Sequence, residues 1–141
     1  MSLEFFSSVA DKFLRKGLDT AALRHQVISN NLTNVDTPRF KRSEVRFEDA
    51  LRAAMTPEPP GLPMEITNPR HLEPQKKPSF TEVQPEVVEI RETTGRLDGN
   101  NVDIDSEMAH LAENTLLYNT MAQLVSKRLG ILRSVINEGR R

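Results

Sequence analysis

The sequence predicts a mainly α protein. Two long amphipathic helices occupy the chain ends, and an irregular proline-rich middle between them carries a short helix and short strands. Three observations predict this. Eight of the nine prolines lie between Pro57 and Pro85 and the ninth is Pro38, so segments 1–37 and 86–141 lack the residue that removes a backbone donor and clashes with the preceding turn. Steps of four and three from Ile104 reach Met108, Leu111, Thr115, Tyr118, Ala122, Val125, Leu129, Leu132 and Ile136, and nine of these ten positions are apolar or aromatic, the period of a coiled-coil seam. A similar ladder of Leu14, Leu18, Ala21, His25, Ile28, Leu32 and Val35 runs near the N-terminus, with Phe6, Val9 and Phe13 on a neighbouring line.

The first helix has two possible starts, Ser2 or Ser8, the latter within a capping-box spacing to Asp11. It ends at Asp36-Thr37-Pro38, because the residue before a proline leaves the α region. Ser43–Met55 reads as one short helix with Phe47, Ala50, Leu51 and Ala54 on a common face. Thr56–Pro78 is too rich in proline for regular structure. Phe80–Val83 and Val87–Glu92 read as short strands, with turns at Thr94-Gly95-Arg96 and Asp98-Gly99-Asn100. The last helix opens on Asp103, Asp105, Ser106 and Glu107, which provide a cap and an acidic first turn, and stops at Gly139 before Arg140 and Arg141. A second stripe lies beside its seam, through Leu117, Met121, Leu124, Arg128, Ile131 and Val135. The chain thus divides into an N-terminal helical segment 1–37, a middle 38–102 and a C-terminal helical segment 103–141.

Composition excludes several function classes. The 141 residues carry 19 basic and 20 acidic side chains, so no overall basic field exists to hold nucleic acid. With no cysteine there is neither a disulfide framework nor a thiol nucleophile. No run of about 18 apolar residues exists to span a membrane, and Glu4 and Asp11 stand where a secretory signal would be basic and then apolar. The crowd of Asp98, Asn100, Asp103, Asp105 and Glu107 does not fit a calcium loop, because Asp103 and Ala109 stand where glycine and glutamate are needed. Glu107-x-x-His110 matches half of a di-iron motif but has no second copy. His25 reads as a packing histidine on the apolar ladder. Asn31-Leu32-Thr33 fits the glycosylation pattern by chance. The basic cluster Arg39, Lys41, Arg42 and Arg46 is offset by Asp36, Glu44, Glu48 and Asp49. The sequence therefore predicts no enzyme, no cofactor and no metal.

Two stretches carry a resemblance. Ser29-Asn-Asn-Leu-Thr-Asn-Val-Asp-Thr-Pro-Arg-Phe-Lys41 closely resembles the N-terminal signature of bacterial flagellar axial proteins. That family usually carries glycine and tyrosine after the proline, where Arg39 and Phe40 stand here. Asp98–Met108, continuing into Leu111-Ala-Glu-Asn-Thr-Leu-Leu-Tyr118 and Leu129–Ile136, resembles the C-terminal end of the proximal-rod type within the flagellar basal-body rod proteins, as does Thr67-Asn-Pro-Arg-His-Leu72.

The resemblance implies a structural subunit of the basal-body rod, lying in the periplasmic space and delivered through the flagellar type III export apparatus. Its terminal helices would pair as an antiparallel coiled coil, one structural unit that forms the inner layer of a helical tube. Further copies, other rod proteins and the adaptor joining the rod to the inner-membrane ring would be its neighbours. The two stripes refine this expectation. Leu111, Tyr118, Val125, Leu129, Leu132 and Ile136 would form the seam with Leu14, Leu18, Ile28 and Leu32, while Leu117, Met121, Leu124 and Ile131 would face other subunits. Asn30, Asn31 and Asn34 would satisfy backbone or inter-subunit polar groups near the turn. The alternative is a soluble helical adaptor or export chaperone that holds a partner helix on the same stripes.

Overall fold

The computed structural model describes residues 8–56, 79–91 and 97–138. In chain order the elements are α1 (Val9–Thr33), β1 (Ser43–Arg46), α2 (Glu48–Met55), β2 (Glu86–Glu89) and α3 (Ile104–Glu138). Helices α1 and α3 run antiparallel: Asn31 meets Glu107 at one end and Asp11 meets Arg128 at the other. At 1.5 Å per residue, the 25 and 35 residues make rods of about 37 and 52 Å. Strands β1 and β2 form a two-stranded antiparallel ribbon in which Ser43 faces Glu89 and Val45 faces Val87. Strand β1 packs on α1, and the turn before β2 also lies against α1, where Lys16 donates through Nζ to the Val83 carbonyl and the Phe13 and Phe80 rings stack 6.2 Å apart.

Local chemistry accounts for the helix ends. Ser8 occupies the N-cap of α1 with extended dihedrals, but its hydroxyl makes no cap bond; its carbonyl receives the Asp11 and Lys12 N–H groups at 2.9 and 3.2 Å. Ser2 lies outside the described residues. The helix stops at Thr33 rather than running to Pro38. Asn34 donates its N–H to the Asn30 and Asn31 carbonyls and its side-chain amide to Asn30, and Thr37 closes the next turn onto Asn34. The asparagines thus compete for the last carbonyls before proline can act. At the start of α3, Asp103 Oδ1 accepts the Asp105 N–H at 3.3 Å, the expected cap. The expected stop at Gly139 and the turn at Thr94-Gly95-Arg96 lie outside the described residues, as do residues 57–78.

The middle differs from expectation in two places. Ser43–Met55 is not one helix: burial alternates through Glu44, Val45, Arg46 and Phe47, which is the period of a strand, and α2 begins only after Phe47. Phe80–Val83 is a turn, held by the Glu82 N–H on the Ser79 carbonyl at 2.7 Å, with Val83 buried at its end. The second strand covers Glu86–Glu89 rather than starting at Val87.

Arg39 has φ 63°, the left-handed conformation that glycine adopts freely and that costs other residues about 1–2 kcal/mol. Its N–H is held on the Asp98 carbonyl at 3.0 Å, and it packs against Gly99, which is also left-handed at φ 73°. Arg39 therefore holds here a conformation that suits glycine.

Candidate functional site

The ends of α1 and α3 meet in a polar knot. Asn31, 1 % exposed, accepts the Ser43 N–H at 3.0 Å and donates to the Ser43 carbonyl at 2.8 Å and to Glu107 Oε2 at 3.1 Å. One side chain of α1 thus reads the backbone of β1 and the first turn of α3 together. Arg42 Nη1 reaches Glu107 Oε1 at 3.3 Å, so the buried carboxylate is both paired and hydrogen-bonded. Asn100, fully buried, donates to the carbonyls of Asn34, Val35 and Thr37 at 2.9–3.0 Å and accepts the Val102 N–H. Asn101 accepts the Arg42 N–H at 2.7 Å and donates to the Ile90 carbonyl at 2.6 Å. Backbone polar groups buried in a loop must find partners, and here short amides replace the ladder that an irregular chain cannot form.

Below the knot, the face of α3 turned to α1 is not the expected one. From Glu107 onward its buried or half-buried residues are Glu107, Leu111, Asn114, Met121, Ala122, Val125, Arg128 and Leu132. Leu111, Val125 and Leu132 are half-buried, as are Leu14, Leu18 and Leu32 on α1, where Ile28 is buried. Tyr118, Leu129 and Ile136, expected in the seam, are exposed, whereas Met121, expected to face outward, is buried against Gly17. The reason is polar: Glu107, Asn114 and Arg128 each find a partner on α1, and satisfying them rotates the helix away from its purely apolar stripe. His25 is likewise exposed rather than packed, beside a shallow groove with Asn114, Thr115 and Tyr118.

The outward line of α3 remains apolar. Leu117, Leu124 and Ile131, seven residues apart, are 45, 50 and 56 % exposed, and Leu116 and Val135 flank them. On a different flank, Leu14, Leu18, Val125, Leu129 and Leu132 line a groove of about 550 Å³ edged by Lys12, Arg15 and Asp19. Of the asparagines expected near the turn, Asn31 is buried and Asn34 half-buried in the chain's own bonds, while Asn30 is exposed and accepts from Asn34. Asn100, Asn101 and the partner role of Glu107 were missed. The available signal was that Asp98-Gly99-Asn100-Asn101 and the Asn30–Asn34 run are each far richer in short amides than a solvated turn requires.

Several other charges pair locally. Arg24 pairs with Glu48 at 2.7 Å. Burial pushes the Glu48 carboxyl upward, but hydrogen bonds from Arg24 and from backbone N–H groups, with the Arg24 charge, outweigh it and hold the group below its ordinary value. Within the basic cluster, Lys41 donates to the Gly99 carbonyl and Arg42 is shared by Glu44 and Glu107. His110 Nδ1 stands 3.7 Å from Glu113 Oε2. Among the described residues no group of three or more metal-ligating side chains gathers, and no helix is long and apolar enough to cross a membrane.

The family model described as flagella basal body rod protein matches residues 13–41, which are most of α1 and the turn after it. The flagellar basal body rod protein FlgB of Borreliella burgdorferi is 38% identical over 79% of this chain and 84% of its own length. The FlgB proteins of Bacillus subtilis and Yersinia enterocolitica are 31% and 27% identical, over 90% and 91% of this chain and 92% and 93% of their own lengths.

Proposed function

The chain belongs to the FlgB proteins of the flagellar basal-body rod family, and from that premise we propose that it builds the proximal part of the rod by laying the outward line of α3 against neighbouring subunits. It is a structural subunit of the flagellar basal body. The finer reading is carried by one observation, the exposure of Leu117, Leu124 and Ile131 at heptad spacing on the longest helix. Burying a large aliphatic side chain stabilises by about 1.5–3 kcal/mol, a gain open to packed subunits and not to the isolated chain. A head-to-tail contact whose rotation does not close generates a helix, hence a tube.

In this reading the neighbours are further copies, other rod proteins and the adaptor at the inner-membrane ring. Segments 1–37 and 103–141 act as one unit, with the polar knot presenting the middle of the chain at one end of it. The subunit travels through the flagellar type III export apparatus to the periplasmic rod, and having no cysteine means that no cross-link hinders passage unfolded. It has no catalytic role.

The test compares Leu124→Asp/Ile131→Asp with Arg133→Asp, all at exposed positions of α3. The paired aspartates should leave the circular dichroism of the isolated chain unchanged, remove the protein from purified basal bodies and abolish motility. The reading is wrong if they assemble as well as Arg133→Asp. Recovery of the chain only in soluble complexes with other flagellar proteins would instead favour the export-chaperone reading.

A further inference from the structure

We propose that Glu107, Asn114, Met121 and Arg128, a line with a repeat of seven residues through the seam of α3, is a register code that holds α3 on α1 in one alignment. The need for such a code follows from the apolar line beside it. Leu111, Tyr118, Val125 and Leu132 also repeat every seven residues. Sliding α3 by one heptad exchanges one hydrophobe for another, so this line distinguishes the native alignment poorly. The displacement, about 10 Å along the axis, would leave the same faces outward while carrying Leu117, Leu124 and Ile131 away from their places in a stacked assembly.

The polar line does not tolerate that slide. Each member meets a different partner: Glu107 Oε2 accepts from Asn31 Nδ2 at 3.1 Å, Asn114 Nδ2 donates to the Ala21 carbonyl at 2.9 Å, and Arg128 Nε donates to Asp11 Oδ1 at 2.8 Å. Met121 fills the notch at Gly17, where a Cβ would stand 2.6 Å from its sulfur. A slip of seven residues toward the α1 N-terminus sets Asn114 at the glycine notch and Met121 at Asp11. In the opposite direction Met121 meets the Ala21 carbonyl and Arg128 meets the notch. Neither alignment satisfies the line. Asn114 also marks the cost of the device, since its Oδ1 is buried and has no hydrogen-bond partner among the described residues. A buried amide that pays in stability for a single register is the best-attested use of polar groups in helical seams.

The experiment uses the full chain, which has no cysteine of its own, with spin labels attached at Asp19→Cys and Lys127→Cys, both exposed. Pulsed dipolar spectroscopy on this parent should give one distance population. In Glu107→Leu/Asn114→Leu/Arg128→Leu, helical ellipticity should persist and further populations should appear, from α3 displaced by about 10 Å. A single population at the parent distance would overturn the proposal, because apolar packing would then set the register alone. Loss of helical ellipticity would overturn it equally, because a register code is kept at the expense of stability rather than as its source. Charge reversal gives a second reading. Arg128→Asp should broaden the distribution and Asp11→Arg/Arg128→Asp should return it to one population; failure of the second change to restore it counts against the code.

Discussion

Replacing Asn31 by aspartate exchanges one side-chain nitrogen for oxygen and leaves shape and volume almost unchanged. In the folded chain that nitrogen donates to the Ser43 carbonyl at 2.8 Å and to Glu107 Oε2 at 3.1 Å. Asn31→Asp therefore turns two attractions into two repulsions and sets a second carboxylate against a buried first. At 3.1 Å and an effective dielectric of about 20, two unit charges repel by about 5 kcal/mol, and Arg42, 3.3 Å from Glu107, offsets part of this. The pair can escape by taking up one proton. For a carboxyl of ordinary pKa near 4, that costs about 4 kcal/mol at pH 7 and about 1.4 kcal/mol at pH 5.

The expected loss at pH 7 is therefore about 2–4 kcal/mol, a large part of a marginal stability. The sign follows from linkage. The shared carboxyl has a folded pKa raised above its unfolded value, so the destabilisation is fully present above the folded pKa. It fades as pH falls toward the unfolded value near 4. Urea midpoints read by circular dichroism at pH 7, 6 and 5, with Asn31→Ala as reference, separate charge from packing. The alanine variant loses three hydrogen bonds at every pH and should show no such recovery. If Asn31→Asp loses under about 1 kcal/mol at pH 7, or follows the same pH course as Asn31→Ala, then the amide does not face Glu107 as described and the knot's role as a clamp fails.

Two further predictions follow from helix packing and charge. Gly130→Ala meets nothing within 4 Å and should stabilise by about 1 kcal/mol through helix propensity, whereas Gly17→Ala must displace Met121 and should lose that gain, ending between neutral and about 2 kcal/mol destabilised in the same urea assay. Glu48, whose folded pKa lies below its ordinary value, adds stability above that value and loses it as pH falls through the folded one. Because Glu48 is half-exposed, the effect should stay below about 1 kcal/mol. Arg24→Ala should abolish it, and a carboxyl titration of Glu48 by nuclear magnetic resonance checks both statements.

The sequence was legible where a long pattern repeats. The 3.6-residue period over 35 residues of α3 and 25 of α1 leaves little freedom in helix existence, because one apolar stripe must be buried whatever covers it. It was less legible where the pattern is short. Ser43–Met55 offers hydrophobes compatible with either period, and only the pairing of Val45 with Val87, contributed from a distant part of the chain, selects a strand. The family resemblance rested on Ser29–Lys41 and on Asp98–Met108 with its continuation along α3, and the polar knot joins the first of these stretches to the start of the second.

By itself, then, the sequence determined two long terminal helices and the kinship to flagellar rod proteins. Each of these depends on residues close together in the chain. Only the tertiary structure decided which face of α3 lies against α1, because a ladder of apolar positions ranks Leu129 and Ile136 above Glu107 and Asn114. A polar residue enters a seam only when its partner stands opposite, and the partners here, Asn31 and the Ala21 carbonyl, lie 76 and 93 residues away. Hydrophobicity can be read one residue at a time, whereas satisfaction of a buried polar group belongs to the pair.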